Sequence, residues 1–217
     1  MLFERMVDRL MELDDLQWGE YMLSKDIWYK KIPTDRRESI VMDSQAAGKR
    51  AADKIIVELQ TRNINKITEH FHIREETFES LNQSDIQIFA QYIEPDVIRL
   101  NKKCIEAAKT KIADIFPKYK NIICEDIFLA HELFHLIEYR NPGLKTNNMK
   151  AVYVKLGGFC WSRKLLMPSE IAAMAFAEEL LQLSYNPQIL DVLLWYAVSQ
   201  KKAEDLALSI LKHSNRR

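Results

Sequence analysis

The 217-residue sequence predicts a helix-dominated α+β fold. Three observations predict it. Glycine and proline are scarce, at five and six residues, so few positions force a break in a helical run. Apolar residues recur at helical spacing over most of the chain. One short stretch, residues 86–100, instead alternates around the turn Glu94-Pro95-Asp96 and predicts a small β-hairpin.

Residues 2–23 predict one helix, with Phe3, Met6, Val7, Leu10, Leu13 and Leu16 in phase. Residues 24–47 are less regular, with a turn and helix start at Pro33-Thr34-Asp35. A long helix is expected from Gly48 to about Phe71, carried by Ile55, Ile56, Leu59, Ile64 and Ile67. Residues 75–81 predict a strand or loop. The hairpin follows, with strands over 87–93 and 97–100. Asn101 is placed to cap a helix that Pro117 ends after Phe116. The run 122–139, IICEDIFLAHELFHLIEY, contains no Gly or Pro, and Asn141-Pro142-Gly143 stops it. Residues 151–156 predict a short strand, with a break at Gly157-Gly158. The next helix opens at Pro168-Ser169 with Ser169 as its N-cap, and ends near Tyr185-Asn186-Pro187. Residues 189–211 predict one or two further helices. A single domain over 1–217 is expected, with a core from about 45 to 185 and helical extensions over 1–44 and 188–217.

Composition bounds the function. Hydrophobic residues make up 47% and charged residues 29%, which fits a soluble globular protein. Lys plus Arg and Asp plus Glu number 31 each, so no charge bias favours nucleic acid or an anionic membrane. The N-terminus carries charges among its apolar positions and lacks a signal-peptide core. No stretch approaches the ~18–20 apolar residues of a membrane span. Cys104, Cys124 and Cys160 are odd in number and widely spaced, so neither a disulfide framework nor a Cys-x-x-Cys metal site is expected. Cys124 is expected to face the core and His213 to be solvated. The expectation from composition is a cytoplasmic protein with reduced thiols.

The chemistry lies in His131-Glu132-Leu133-Phe134-His135, an H-E-x-x-H pattern within the 122–139 helix. Residues four apart share a helix face, so His131 and His135 are placed to hold one metal ion. Glu132 stands one step round, within reach of a water on that metal. A tetrahedral catalytic zinc takes a third protein ligand and leaves one position for water. The metzincin pattern fails, because Glu138 stands at its Gly place and Asn141 at its His place. Glu170, in the first turn of the next strong helix, is the preferred third ligand, with Glu178 and Glu179 as alternatives. Ala172, Ala173, Ala175 and Ala177 make that helix thin, so a neighbour can approach closely.

The pattern H-E-L-x-H followed by E-x-x-A-x-x-F-A-x-E-L-L resembles the ImmA/IrrE-like metallopeptidases, a compact branch of the gluzincins. The likeness extends upstream through the 86–100 hairpin, the 101–116 helix and the 48–71 helix, and covers roughly 45–185. It implies a zincin-like core with a small sheet and an active-site helix. It implies Zn²⁺ held by His131, His135 and Glu170, with Glu132 as general base. It also implies a protein or peptide substrate, bound as an extended peptide along the sheet edge, here residues 86–93. Phe134 replaces a Gly common in the family, the 141–168 loop is long, and no helix-turn-helix partner domain is evident.

Tyr153, Arg163 and Tyr185 are candidates for a second donor to the oxyanion, and Glu178 for orienting a histidine. Two other uses of these residues are open. Glu132-x-x-His135 and Glu69-x-x-His72, with Glu170 and Glu178, have the composition of a di-iron carboxylate bundle. Alternatively, the metal holds helices together in a non-catalytic sensor or interaction module.

Overall fold

The computed structural model describes residues 2–79, 88–157 and 159–215, with backbone alone over 152–156 and at 160. The first predicted helix is in fact two: α1 (Leu2–Met11) and α2 (Asp15–Leu23). Asp14 separates them. Its carboxylate accepts the Gln17 backbone N–H at 2.7 Å, while the Gln17 side-chain Oε1 accepts the Asp14 backbone N–H at 3.0 Å. This reciprocal cap starts a new helix although the apolar phase runs on.

The predicted start at Thr34 holds, but α3 (Thr34–Leu59) is continuous through 35–47 and stops at Leu59. Gln60 then adopts a left-handed conformation, φ 50°. Asn63 accepts the Lys66 N–H and opens the short α4 (Ile64–His70). The expected 48–71 helix is therefore split at 60–63, where local caps outcompete continuation of the apolar stripe.

Three strands form a mixed sheet: β1 (Arg74–Thr77), β2 (Ala90–Ile93) and β3 (Val97–Leu100). β3 is central, parallel to β1 and antiparallel to β2. Residues 80–87, including the predicted start of the first hairpin strand, lie outside the described residues. Asn101 caps α5 (Lys102–Ile115) as expected, accepting the Cys104 N–H. α6 (Glu125–Arg140) carries the H-E-x-x-H residues, with Glu125 and Asp126 at its start and Arg140 at its end, matching the helix dipole. Cys124 precedes this helix and is exposed rather than core-facing.

The strand predicted over 151–156 is β4 (Lys150–Leu156). It pairs with β5 (Phe159–Lys164), a strand beyond those the sequence predicts. α7 (Met167–Leu181), α8 (Ile189–Val198) and α9 (Gln200–Ser214) complete the chain, the last two divided by the Ser199 cap.

Apolar packing joins the two termini. Phe3, Val7 and Leu10 of α1 share a cluster with Ile105 of α5, Tyr196 of α8 and Ile210 of α9. Phe3 stacks on Tyr196 with ring centroids 4.2 Å apart. The half-buried His213 ring meets Tyr21 edge-on at 5.8 Å, so it is packed rather than freely solvated. A second cluster holds the site. Ile98 and Leu100 of β3, Leu133 and Phe134 of α6, and Phe176 of α7 are all fully buried in it. α6 is thereby fixed between the sheet and α7.

Gly48 sets how closely α7 approaches α3. A Cβ there would lie 2.1 Å from the Ala172 carbonyl oxygen and 3.0 Å from the Phe176 nitrogen. These are backbone atoms of α7, which cannot rotate aside. Gly48→Ala gains about 1 kcal/mol in helix propensity, yet overpacking is the larger effect. A net destabilisation of about 1–3 kcal/mol is expected from urea melts. An unchanged midpoint would contradict the close crossing.

Candidate metal centre

The three predicted ligands converge. His131 and His135 lie one turn apart on α6, and their Nε2 atoms are 3.2 Å apart. Glu170, in the first turn of α7, places Oε2 3.3 Å from His131 Nε2 and Oε1 3.6 Å from His135 Nε2. One ligand atom from each lies within 4.8 Å of the other two. Among the described residues this is the group of His, Cys, Asp and Glu side chains able to hold a metal ion.

The α7 end that carries Glu170 is capped from a distance. Asp26, 140 positions before Leu166, is buried, and its Oδ2 accepts the Leu166 N–H at 2.7 Å and the Met167 N–H at 3.1 Å. Ser169 is therefore not the N-cap that its type suggests. Its hydroxyl is free to act at the site, donating to Glu138 Oε2 at 2.5 Å and lying 3.3 Å from His135 Nδ1. Thr146 donates to the other Glu138 oxygen at 2.5 Å. Glu138 thus accepts from two hydroxyls, and Ser169 Oγ keeps a lone pair for His135. That lone pair favours the tautomer with the proton on Nδ1, which leaves His135 Nε2 bare for a metal. The orienting carboxylate is Glu138, not Glu178.

This chain of contacts yields a test. Ser169→Ala removes the His135 partner and strips Glu138 Oε2 of its donor. Metal affinity should weaken about 10–100-fold in competition with a chromogenic chelator. An unchanged affinity would show that Ser169 does not orient His135.

Glu132 stands beside the ligands and is clamped by the sheet. Its Oε2 accepts the Tyr92 N–H at 2.7 Å. Asn101 donates to Phe89, so alternate residues of β2 bond to β3, while Ala90 and Tyr92 turn their backbone groups outward. β2 is an edge strand, and its outward side faces α6. Beyond Glu132 lies a cavity of about 300 Å³, floored by α6 and walled by α7, α8 and residues 88–90. Asp191 is exposed on its wall. The protein packed around the cavity still pushes the Asp191 carboxyl up to about 6, against the pull of His131.

Charge within the triad is uneven. Burial opposes a proton on His131, but the Glu170 carboxylate overrides it and raises the imidazole to about 9. Burial and then the neighbouring His131 charge lower His135. Burial would raise Glu170, yet its bond to His131 holds it down to about 2. The site is built around an anion seeking positive charge, and a divalent cation fits that donor set.

Other sequence candidates fall elsewhere. Glu178 lies 3.6 Å from Lys49, and Glu179 lies 3.6 Å from Arg62. Glu69 and His72 are exposed and outside the triad, so the second pair of a di-iron site is not assembled. Tyr185 donates its hydroxyl to the Ile122 carbonyl at 3.1 Å. Arg163 is exposed on β5, and the Tyr153 side chain lies outside the described residues. The Tyr92 clamp, the Glu138–Ser169 pair and Asp191 were not expected from sequence. The chain matches no family model, no curated protein and no solved structure.

Proposed function

We propose that the protein is a zinc-dependent metallopeptidase of the ImmA/IrrE-like kind, hydrolysing a protein or peptide bond through activated water. The observation that carries this reading is the convergence of His131, His135 and Glu170, with Glu132 beside them but outside the ligand set. Two imidazoles and one carboxylate are the donor set of catalytic zinc, and the bare Nε2 of His135 suits it. A metal bound there would supply a Lewis acid that acidifies water toward a pKa of about 7 and polarises a carbonyl.

The chain's own residues do the rest. Tyr92 N–H holds Glu132 Oε2, so Oε1 is the atom that receives the proton from water. Glu132 then returns that proton to the leaving amine nitrogen as the C–N bond breaks. The outward backbone groups of Ala90, and the carbonyl of Tyr92, offer edge positions for an extended substrate. Because Tyr92 N–H is already committed to Glu132, the substrate strand has one edge donor fewer than a bare strand provides. Among the described residues of the expected 86–93 edge, the docking positions are those of 90–92; residues 86 and 87 lie outside the described residues.

The expected result is about one zinc per chain and hydrolysis of an unfolded protein or a peptide library. A chelator should abolish that activity and zinc should restore it. Metal that binds stoichiometrically without any hydrolysis would leave the non-catalytic, metal-stabilised module as the reading.

A further inference from the structure

The cavity beside Glu132 has a wall that the proposed chemistry does not use. Ile127 and Phe128 of α6, Met174 of α7, and Leu190 and Leu194 of α8 give it apolar sides. His131 and Glu132 line the same space, so whatever fills it is adjacent to the reacting bond. Asp191 supplies the remaining charged group of the lining. Its carboxylate makes no hydrogen bond or salt bridge among the described residues. Position in the first turn of α8 is favourable for an acid, but that accounts for its place on the helix and not for its place on a cavity wall.

Apolar walls with a carboxylate that no described side chain or backbone group bonds match a side chain that has a hydrocarbon stem and a cationic end. The methylenes of Arg or Lys lie well against such walls, and the charged head needs an acid to offset its lost hydration. A purely aliphatic side chain would fill the walls and leave Asp191 without a partner. An acidic side chain would meet repulsion from both Asp191 and Glu132. The volume, about 300 Å³, admits either basic side chain with room for water.

Resting on the peptidase reading, we infer that this cavity is a specificity pocket for an Arg or Lys side chain next to the scissile bond, and that Asp191 selects it. Asp191 is a recognition residue here; it takes no part in proton transfer.

The test separates the pocket from the activity. Zinc-loaded protein is titrated by NMR with n-butylguanidinium and with its neutral isostere, N-butylurea. The guanidinium should bind at least about tenfold more tightly, and the ratio should fall to near one in Asp191→Asn. Asp191→Glu, which keeps the charge, should retain the preference, and melting curves of both variants report whether they fold. In parallel, peptides that differ only by Arg or norleucine at one position are compared, with Arg expected to be cleaved at least about tenfold faster. Equal binding of the two probes by the wild type overturns the inference, as does a preference that survives Asp191→Asn. Cleavage with no preference for Arg also overturns it while leaving the peptidase reading intact. If no peptide is cleaved, the peptidase reading fails, and the guanidinium ratio alone decides the pocket.

Discussion

Glu132→Gln should retain the metal and lose hydrolysis by about 10²–10⁴-fold. The prediction follows from where the carboxylate sits. Glu132 is outside the set of atoms that converge for a cation, so its charge is not needed to hold one. Its Oε2 accepts the Tyr92 N–H at 2.7 Å, and a carboxamide oxygen can accept the same bond. The α6 packing, centred on the fully buried Leu133 and Phe134, does not involve the Glu132 head. The variant should therefore fold and bind as before. What it loses is a basic oxygen at Oε1, because an amide nitrogen there carries two protons and takes no third. Metal content by mass spectrometry and peptide turnover decide the matter together. Full metal with unchanged turnover would remove Glu132 as the base, and loss of metal would move it into the ligand set.

The parts of the site that lie within one helical turn were legible in the sequence. His131, Glu132 and His135 are placed by helix periodicity alone, and no packing partner can alter their spacing. Glu170 was reachable because a thin, alanine-rich helix invites a close neighbour, and α6 packs against it through Phe134 and Phe176. What the sequence hid depends on pairs of residues far apart in the chain. Ser169 has the type and position of an N-cap, but Asp26 fills that role across 140 residues and frees the hydroxyl for Glu138. The Tyr92–Glu132 bond joins residues 40 apart through a backbone donor, for which no side-chain signal exists. The missed helix break at Asp14 is different: the Asp14-x-x-Gln17 spacing was readable, and a continuous apolar stripe concealed it. Periodicity reports which face is buried, whereas caps decide where a helix ends.

Glu170→Gln should cost more metal affinity than the about 10–100-fold expected for an outer contact such as Ser169. Three ligand atoms become two imidazole nitrogens and a weakly coordinating amide. The change should also alter the proton balance of binding. In the metal-free wild type, the Glu170 carboxylate raises His131 to about 9, so at pH 7 that ring is protonated and must lose its proton to take a metal. Wild-type binding should release about one proton at pH 7, and apparent affinity should rise with pH until His131 has titrated near 9. Without the carboxylate, burial depresses the His131 imidazole against the weaker pulls of Glu132 and Asp191, and binding at pH 7 should release measurably fewer protons. Calorimetry in buffers of differing ionisation enthalpy reads this difference directly. The alternative role for Glu170 is interaction with the positive end of α7. That role predicts a small loss of fold stability in Glu170→Gln, with affinity and proton release unchanged. Affinity alone would not separate the two roles if the variant were merely less stable. Proton release does, because it depends on the carboxylate sharing a proton with His131 at the spot the cation would occupy.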